Sequence, residues 1–169
     1  MTYKIGFDIG STTIKAVVLD ENQQICYKSY ERHKAQVRQK ALEKIKDLER
    51  YAMEPFQFAI SGSGALGLCD DGKLPFVQEV FASATAIRKY YPDTDCAIEL
   101  GGEDAKILFF KGSIEQRMNS TCAGGTGAFI DQMASLLDID LETMNEVSLK
   151  HDKIYPIASR CGVFAKTDV

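Results

Sequence analysis

The sequence lacks the features that would point to a membrane or to nucleic acid. There is no basic excess, since 20 Lys and Arg stand against 24 Asp and Glu for a formal net charge of −4. Without a basic stripe to neutralise phosphates, nucleic-acid binding is disfavoured. No apolar run approaches the roughly 18 residues of a membrane span, and no charged-then-apolar leader opens the chain. We therefore expect a cytoplasmic protein with no nucleic-acid or membrane partner.

The usual spacing of a zinc site is also missing. No two of the five cysteines form a Cys-x-x-Cys pair, and neither His33 nor His151 lies near a cysteine pair, which argues against zinc. An odd number of cysteines in a reducing compartment favours free thiols or metal ligands over disulfides. We expect both histidines to face solvent. We assign Cys26 and Cys96 to packing within strands and Cys69 to a loop.

What is present is a globular composition, 45% apolar over 169 residues, with clear strand and helix patterns. Residues 4–9 and 14–19 are rich in β-formers, and the short connection at 10–13 forces a hairpin. A third strand is predicted at 24–30. Residues 36–53 follow the 3.6-residue period of an amphipathic helix. Its predicted apolar face is Val37, Ala41, Leu42, Ile45, Leu48 and Ala52, and the Lys and Arg residues of 38–50, alternating with acids, predict a solvated face.

The pattern then continues with a crossover and restarts. A strand at 56–60 precedes a helix that begins at Pro75 and ends before Pro92. Strands at 96–100, 105–110 and 114–118 repeat the opening order. They are followed by a helix bearing Phe129, Met133, Leu136 and Leu137, and by a second helix capped by Asp140.

This order, β-β-β-α-β-α and then a second meander, is not the alternation of a Rossmann unit. It predicts an α/β protein of two related domains, residues 1–93 and 94–169. No closing helix is predicted after residue 154, so the second domain is expected to be incomplete.

Two turns carry residues suited to phosphate. In the first, Asp8 ends a strand and is followed by the backbone and hydroxyl donors of residues 10–13. Phosphate oxygens accept such bonds, and a carboxylate holds the hydration shell of Mg²⁺. An ordinary polar hairpin is the alternative for this turn alone. The second turn, Glu99 to Lys106, occupies the equivalent place in the repeat, and two such turns would clamp a nucleotide from both sides.

A third stretch, Asn119 to Asp131, sets Cys122 immediately before a glycine-rich turn that opens a helix. Glycines permit close approach of the backbone, and a helix N-terminus offers unpaired N–H groups. These features stabilise a thiolate. The alternative is a buried structural cysteine.

The motifs together resemble a known family. They are Asp8-Ile9-Gly10-Ser11-Thr12-Thr13, Gly101-Gly102-Glu103-Asp104, Cys122-Ala123-Gly124-Gly125-Thr126-Gly127-Ala128-Phe129 and Arg160-Cys161-Gly162-Val163-Phe164-Ala165. The paired turns resemble the acetate kinase, Hsp70 and actin superfamily, with its duplicated ribonuclease-H-like domains. The cysteine motifs resemble the ATP-dependent activases of 2-hydroxyacyl-CoA dehydratases and benzoyl-CoA reductases, the BadF/BadG/BcrA/BcrD ATPase family.

The resemblance implies an ATPase with ATP, Mg²⁺ and a [4Fe–4S] cluster as cofactors. The cluster would be shared by a homodimer, with Cys122 and Cys161 as the ligands from each chain. An electron from ferredoxin or flavodoxin would pass to a dehydratase or reductase partner. The implied catalytic residues are Asp8, Glu99 and Asp104. The implied nucleotide-binding residues are Gly10, Ser11, Thr12, Thr13, Lys15, Gly101, Gly102, Glu103, Gly125, Thr126 and Gly127.

The sequence departs from the family at the second turn. The common pattern there is Asp-Ile-Gly-Gly-Gln-Asp, whereas this chain carries Glu99 and Glu103. The family's modules are also longer, so the chain is expected to be a fragment. Two alternatives stay open: a small-molecule kinase of the same superfamily, which leaves the two cysteines unexplained, and a noncatalytic fragment.

Overall fold

The computed structural model describes residues 2–69, 73–119, 122 and 124–169. Ser120, Thr121 and Ala123 of the cysteine-containing stretch lie outside the described residues. The chain divides into two compact units, Met1–Thr94 and Asp95–Val169. The elements of the first unit are β1 (Tyr3–Ile9), β2 (Thr13–Leu19), β3 (Ile25–Arg32), α1 (Val37–Ala52), β4 (Phe56–Ser61), α2 (Leu66–Cys69) and α3 (Glu79–Tyr90). Those of the second are β5 (Cys96–Leu100), β6 (Ala105–Phe109), β7 (Glu115–Asn119), α4 (Gly127–Leu136), α5 (Leu141–Leu149) and α6 (Gly162–Asp168).

The first unit is built on a mixed sheet in the order β3-β2-β1-β4. The strands β1, β2 and β3 form the predicted antiparallel meander, and β4 joins β1 in parallel after the α1 crossover. A parallel neighbour requires such a crossover, because a tight turn can only reverse the chain. The carboxyl ends of β1 and β4 therefore lie side by side, where the first phosphate-type turn begins.

Helix α1 packs on one face of this sheet. The residues that it buries there differ from the predicted apolar face. Its buried residues are Ala41, Lys44, Leu48 and Tyr51. The predicted face was wrong for Leu42 and Ile45, which are 53% and 56% exposed, and for Ala52, which is also exposed. Periodicity alone weighs apolar residues, whereas here an aromatic ring and a lysine stem fill the positions that face the strands. Tyr51 also stacks edge-on with Tyr3, their ring centroids 5.1 Å apart.

Lys44 corrects the expectation that all the charges of α1 are solvated. It is 7% exposed, and its ammonium pairs with Glu31 on β3 and with Asp47 at 3.0 Å. The hydrogen bond to Glu31 raises the pKa of Lys44 above its usual value, and the same bond lowers the pKa of Glu31. A buried charge that keeps two partners in this way ties the helix to the outer strand of the meander.

Pro75 does not begin a helix as predicted. Its carbonyl accepts the N–H of Ile60 at 3.0 Å, and Val77 donates to the carbonyl of Ile60 at 2.7 Å. The segment therefore runs extended beside β4, and α3 begins only at Glu79. The fixed φ of proline suits an extended chain as well as a first helical turn, and here the strand edge decides.

The second unit repeats the meander as a three-stranded sheet in the order β5-β6-β7. Helix α4 follows it, and Met133 and Ala134 are its buried residues. The expectation of no further helix near the end was wrong, because α6 begins after Cys161. None of the described helices has both the length and the apolar character needed to cross a membrane.

Asp140 caps α5 as predicted, and its effect on stability is testable. Its carboxylate accepts the backbone N–H of Thr143 at 2.7 Å, and this bond lowers the pKa of Asp140. A lowered pKa contributes stability above the unfolded value near 3.9, and that contribution disappears as the pH falls through the native pKa. We expect Asp140→Ala to lower the melting temperature by a few degrees at pH 7, and the gap to wild type to shrink in acid. Asp140→Asn, which keeps a capping oxygen, is the control, and an equal loss in both variants would contradict the cap.

Candidate functional site

Asp8 lies near the end of β1 and is held from both neighbouring strands. Its partner across the ladder in β2 is Lys15, whose Nζ donates to Asp8 Oδ2 at 2.6 Å. Its partner in β4 is Ser61, whose hydroxyl donates to Asp8 Oδ1 at 3.2 Å. The side chains of Asp8 and Lys15 are 29% and 35% exposed. The carboxylate is therefore oriented by two strands and still accessible to a ligand.

The turn that follows is tight and is closed by a backbone hydrogen bond between its own residues. The N–H of Gly10 donates to the carbonyl of Thr13 at 2.9 Å, which closes the hairpin around Ser11 and Thr12. Ser11 is exposed and Thr13 is buried. The expectation that His33 faces solvent was wrong: it is 4% exposed, and its Nε2 lies 3.1 Å from the carbonyl oxygen of Gly10.

A cavity of about 420 Å³ opens beside this turn on the sheet face opposite α1. Asp8, Lys15 and Ser61 contribute to its lining, together with Tyr30 and Val77. The ammonium of Lys15 also lies 5.5 Å from the centroid of the Tyr30 ring. The charged pair thus stands at the border between a polar turn and a largely apolar recess.

In the second unit, Lys106 holds the carboxylates of the second turn. Its Nζ lies 3.2 Å from Glu99 Oε1 and 3.1 Å from Asp104 Oδ2, and the residue is 5% exposed. The other oxygen of Glu99, Oε2, is buried and has no hydrogen-bond partner among the described residues. Glu103 is exposed. Glu99 and Asp104, both predicted as catalytic, are thus brought together by one cation.

The two turns have the same design. Asp8 pairs with Lys15, and Glu99 with Lys106, each across the second residue pair from the turn of a hairpin and each seven residues apart. In the first turn Gly10 donates to the carbonyl of Thr13, and in the second Gly101 donates to that of Asp104 at 2.8 Å. The carboxylate, the glycine and the lysine therefore recur at equivalent places in the two units.

The glycine-rich segment after Cys122 contacts the second turn. Gly127 and Ala128, at the start of α4, donate their N–H groups to the carbonyls of Gly101 and Gly102 at 2.8 and 2.9 Å. A Cβ on Gly127 would lie 3.2 Å from the oxygen of Gly101, so a side chain there would crowd the turn. Thr126, the N-cap of α4, is fully buried, and Gly125 has a φ of +82°. The backbone N–H groups of Gly127 and Ala128 therefore hold the second turn in place.

Cys122 and Cys161 line one cavity of about 400 Å³ in the second unit. The N–H of Gly124 donates to Cys122 Sγ at 3.3 Å, and a Cβ on Gly124 would lie 3.3 Å from the nitrogen of Gly162. Cys122 is exposed and Cys161 is half-buried. No group of three or more His, Cys, Asp or Glu side chains in the described part of the chain is arranged to hold a metal. The structure therefore brings the thiols of Cys122 and Cys161 to one surface recess.

Sequence reasoning gave no role to three residues at these sites: Ser61, His33 and Lys106. Ser61 and His33 lie far along the chain from the first turn and reach it only through strand pairing and the chain path after β3. Lys106 had a usable signal, since its spacing from Glu99 repeats that of Lys15 from Asp8.

Lys106 is expected to stabilise the second unit. We predict that Lys106→Met lowers the free energy of unfolding by about 1–3 kcal/mol, because two carboxylates lose their shared cation. The value is below that of a fully buried pair, since the side chains of Glu99 and Asp104 are 34% and 31% exposed. Urea denaturation at pH 7 measures it. Lys111→Met is the control: Lys111 pairs with Asp95 at 2.9 Å but is 78% exposed, so no measurable change is expected. Equal losses in the two variants would contradict the role of burial.

The chain is similar in sequence to one family of ATPases and to two dehydratase activators. The model of the BadF/BadG/BcrA/BcrD ATPase family matches residues 5–169. The chain is 30% identical to the 2-hydroxyisocaproyl-CoA dehydratase activator of Clostridioides difficile and 32% identical to the activator of lactoyl-CoA dehydratase of Anaerotignum propionicum. The alignments cover 99% of this chain in both cases, and 64% and 66% of the relatives.

A solved structure shows the same relationship. The activator of the 2-hydroxyisocaproyl-CoA dehydratase from Clostridium difficile, with bound ADPNP, superposes with a TM-score of 0.83 at 29% identity. The match covers 98% of this chain and 63% of that one. The predicted fold class, a duplicated actin- and Hsp70-type α/β fold, is confirmed by this similarity. The chain described here spans a little under two thirds of the length of that activator.

Proposed function

Because the chain belongs to the BadF/BadG/BcrA/BcrD ATPase family, we propose that it is part of an ATP-hydrolysing activase that delivers an electron to a 2-hydroxyacyl-CoA dehydratase or a related reductase. The observation that carries the proposal is the recurrence of one carboxylate–glycine–lysine turn in both units. The similarity to activators of such dehydratases, one of them with bound ADPNP, supports the same assignment.

In this proposal the two turns receive the phosphates of ATP and Mg²⁺. Asp8 and Asp104 orient Mg²⁺ and the attacking water, and Glu99 adds a second carboxylate at the second turn. Each carboxylate already lies against a lysine ammonium, which supplies positive charge for phosphate oxygens. The phosphate-binding groups are those predicted from the sequence: Gly10, Ser11, Thr12, Thr13, Lys15, Gly101, Gly102, Glu103, Gly125, Thr126 and Gly127.

The two thiols fit a shared iron–sulfur cluster. A [4Fe–4S] cluster takes four thiolates and, when bound, stores and releases one electron at low potential. Cys122 and Cys161 supply two thiolates from one recess, so a second copy of the chain is needed for the others. The N–H of Gly124 donates to Cys122 Sγ, a bond of the kind that orients and tunes ligand sulfurs. We infer a homodimer around this recess, a ferredoxin or flavodoxin as electron donor, and a dehydratase or reductase as acceptor.

Anaerobic purification with iron and sulfide analysis, followed by an ATPase assay, tests the proposal. The expected result is a coloured dimer that hydrolyses ATP to ADP and phosphate and loses its visible absorbance on oxidation by air. A colourless monomer after anaerobic reconstitution would rule out the shared cluster. ADP release that depends on an added sugar would indicate a small-molecule kinase instead.

A further inference from the structure

His33 is a buried residue to which the proposed function assigns no role. It follows β3, is 4% exposed, and contacts the first turn through two different groups. Its Nε2 lies 3.1 Å from the carbonyl oxygen of Gly10, and its backbone N–H donates to the carbonyl of Thr12 at 3.2 Å. A carbonyl only accepts, so Nε2 carries the proton of the ring.

These two contacts fix the direction of two peptide groups. A trans peptide is planar, so a carbonyl that points towards His33 sends the N–H of the next residue the opposite way, and the described chain contains no cis peptide bond. The N–H groups of Ser11 and Thr13 are therefore directed away from His33. We propose that His33 is a positioning residue that orients the N–H groups of Ser11 and Thr13 as donors to a nucleotide phosphate.

In the second unit, backbone N–H groups and not a histidine bind the equivalent carbonyls. There the carbonyl of Gly101, which is equivalent to Gly10, accepts the N–H of Gly127 at 2.8 Å. The carbonyl of Gly102 accepts that of Ala128 at 2.9 Å. The start of α4 thus restrains the second turn. In the first unit the helical segment Ser63–Ala65 also lies close to the turn, since a Cβ on Gly64 would lie 3.2 Å from the carbonyl oxygen of Gly10. The hydrogen bond to that carbonyl comes from His33 Nε2, so the equivalent carbonyl is held in both units by different donors.

The other ring nitrogen makes no competing contact. His33 Nδ1 is buried and has no hydrogen-bond partner among the described residues. The ring therefore acts as a single donor of fixed direction, and its place is set by the backbone bond of the same residue to Thr12.

The inference rests on the proposed function and is tested with three variants of the full chain. His33→Gln keeps an N–H donor that reaches the position of Nε2, His33→Asn carries the same amide on a shorter side chain, and His33→Leu removes the donor. Binding of the non-hydrolysable analogue AMPPNP with Mg²⁺ is measured by calorimetry. The expected weakening is roughly 5- to 10-fold for the Leu and Asn variants and about twofold or less for Gln.

Amide resonances separate positioning from a general loss of structure. We expect the Ser11 and Thr13 N–H signals of wild type and His33→Gln to shift when AMPPNP is added, and those of the Leu and Asn variants to shift less. Melting temperatures identify variants that do not fold. If His33→Leu is one of them, the Gln and Asn variants carry the test, because they differ only in reach.

The possible failures are distinguishable. Equal AMPPNP affinity in wild type, Gln, Asn and Leu variants would overturn the role of His33 and leave the proposed function intact. Weakening in His33→Gln as large as in His33→Leu would also overturn it, since the donor would then be irrelevant. Failure of the wild-type protein to bind AMPPNP would overturn the proposed function and this inference together.

Discussion

Gly62→Ala is expected to destabilise the protein by about 4 kcal/mol, a large part of the stability of an ordinary domain. Gly62 connects β4 to the helical segment after it, with φ +99° and ψ 147°. This region of backbone conformation is almost confined to glycine. In addition, a Cβ at this position would lie 2.1 Å from the carbonyl oxygen of Ile9 and 2.6 Å from Asp8 Oδ1.

The close approach matters because it involves backbone that cannot move aside. The ends of β1 and β4 are hydrogen-bonded neighbours, so displacing the Ile9 carbonyl disturbs the strand that carries Asp8. We therefore expect two effects from one methyl group: a loss of stability measured by urea denaturation, and a weaker ATP affinity in whatever fraction stays folded. The second effect follows from the proposed role of Asp8.

Gly112→Ala is the matched control for backbone strain. Gly112 also has a positive φ, +79°, but a Cβ there would meet nothing within 4 Å. It should therefore cost about 1 kcal/mol, the ordinary penalty for a side chain in this conformation. Similar losses at Gly62 and Gly112 would show that the contact with Ile9 contributes nothing.

The order of elements in the chain was predictable, because it depends on local patterns. The meanders, the α1 crossover, the Asp140 cap and the helix after Cys122 all follow from periodicity, turn chemistry and capping. The errors arose where tertiary contacts decide. Pro75 has the sequence signature of a helix start. In the structure its carbonyl instead accepts the N–H of Ile60 in β4, and the segment is extended. The buried face of α1 was predicted wrongly because a lysine is usually a surface residue. In the structure Lys44 is buried and pairs with Glu31.

The sites show the same division. Both turns and both cysteines could be identified from spacing, since each motif is contiguous in sequence. The residues that orient them could not be, because Ser61 and His33 reach Asp8 and Gly10 across the sheet. A carboxylate in a motif is therefore easier to find than the groups that give it a direction. The internal duplication is the one sequence signal that could identify such an orienting residue, because Lys106 occupies the position equivalent to Lys15.

Cys122→Ala and Cys161→Ala are each expected to abolish iron binding after anaerobic reconstitution. Each substitution removes two of the four thiolates from a dimer, because every change in one chain is repeated in its partner. Two remaining thiolates leave half of the irons without a protein ligand. We expect iron and sulfide to fall from about four per dimer to near zero, and the visible absorbance to disappear.

Cys96→Ala is the matched control, because Cys96 is likewise exposed but lies in β5 and does not line the recess shared by Cys122 and Cys161. Full iron content in Cys96→Ala with none in the other two variants would assign the ligands. Gly162→Ala adds a geometric test: its Cβ would lie 3.3 Å from Gly124 Cα and 3.4 Å from the Phe129 ring, pressing the two cysteine segments apart. It should reduce iron content while both thiols remain. Undiminished iron in Cys122→Ala would show that this thiol is not a ligand, and the proposal of a shared cluster would fail with it.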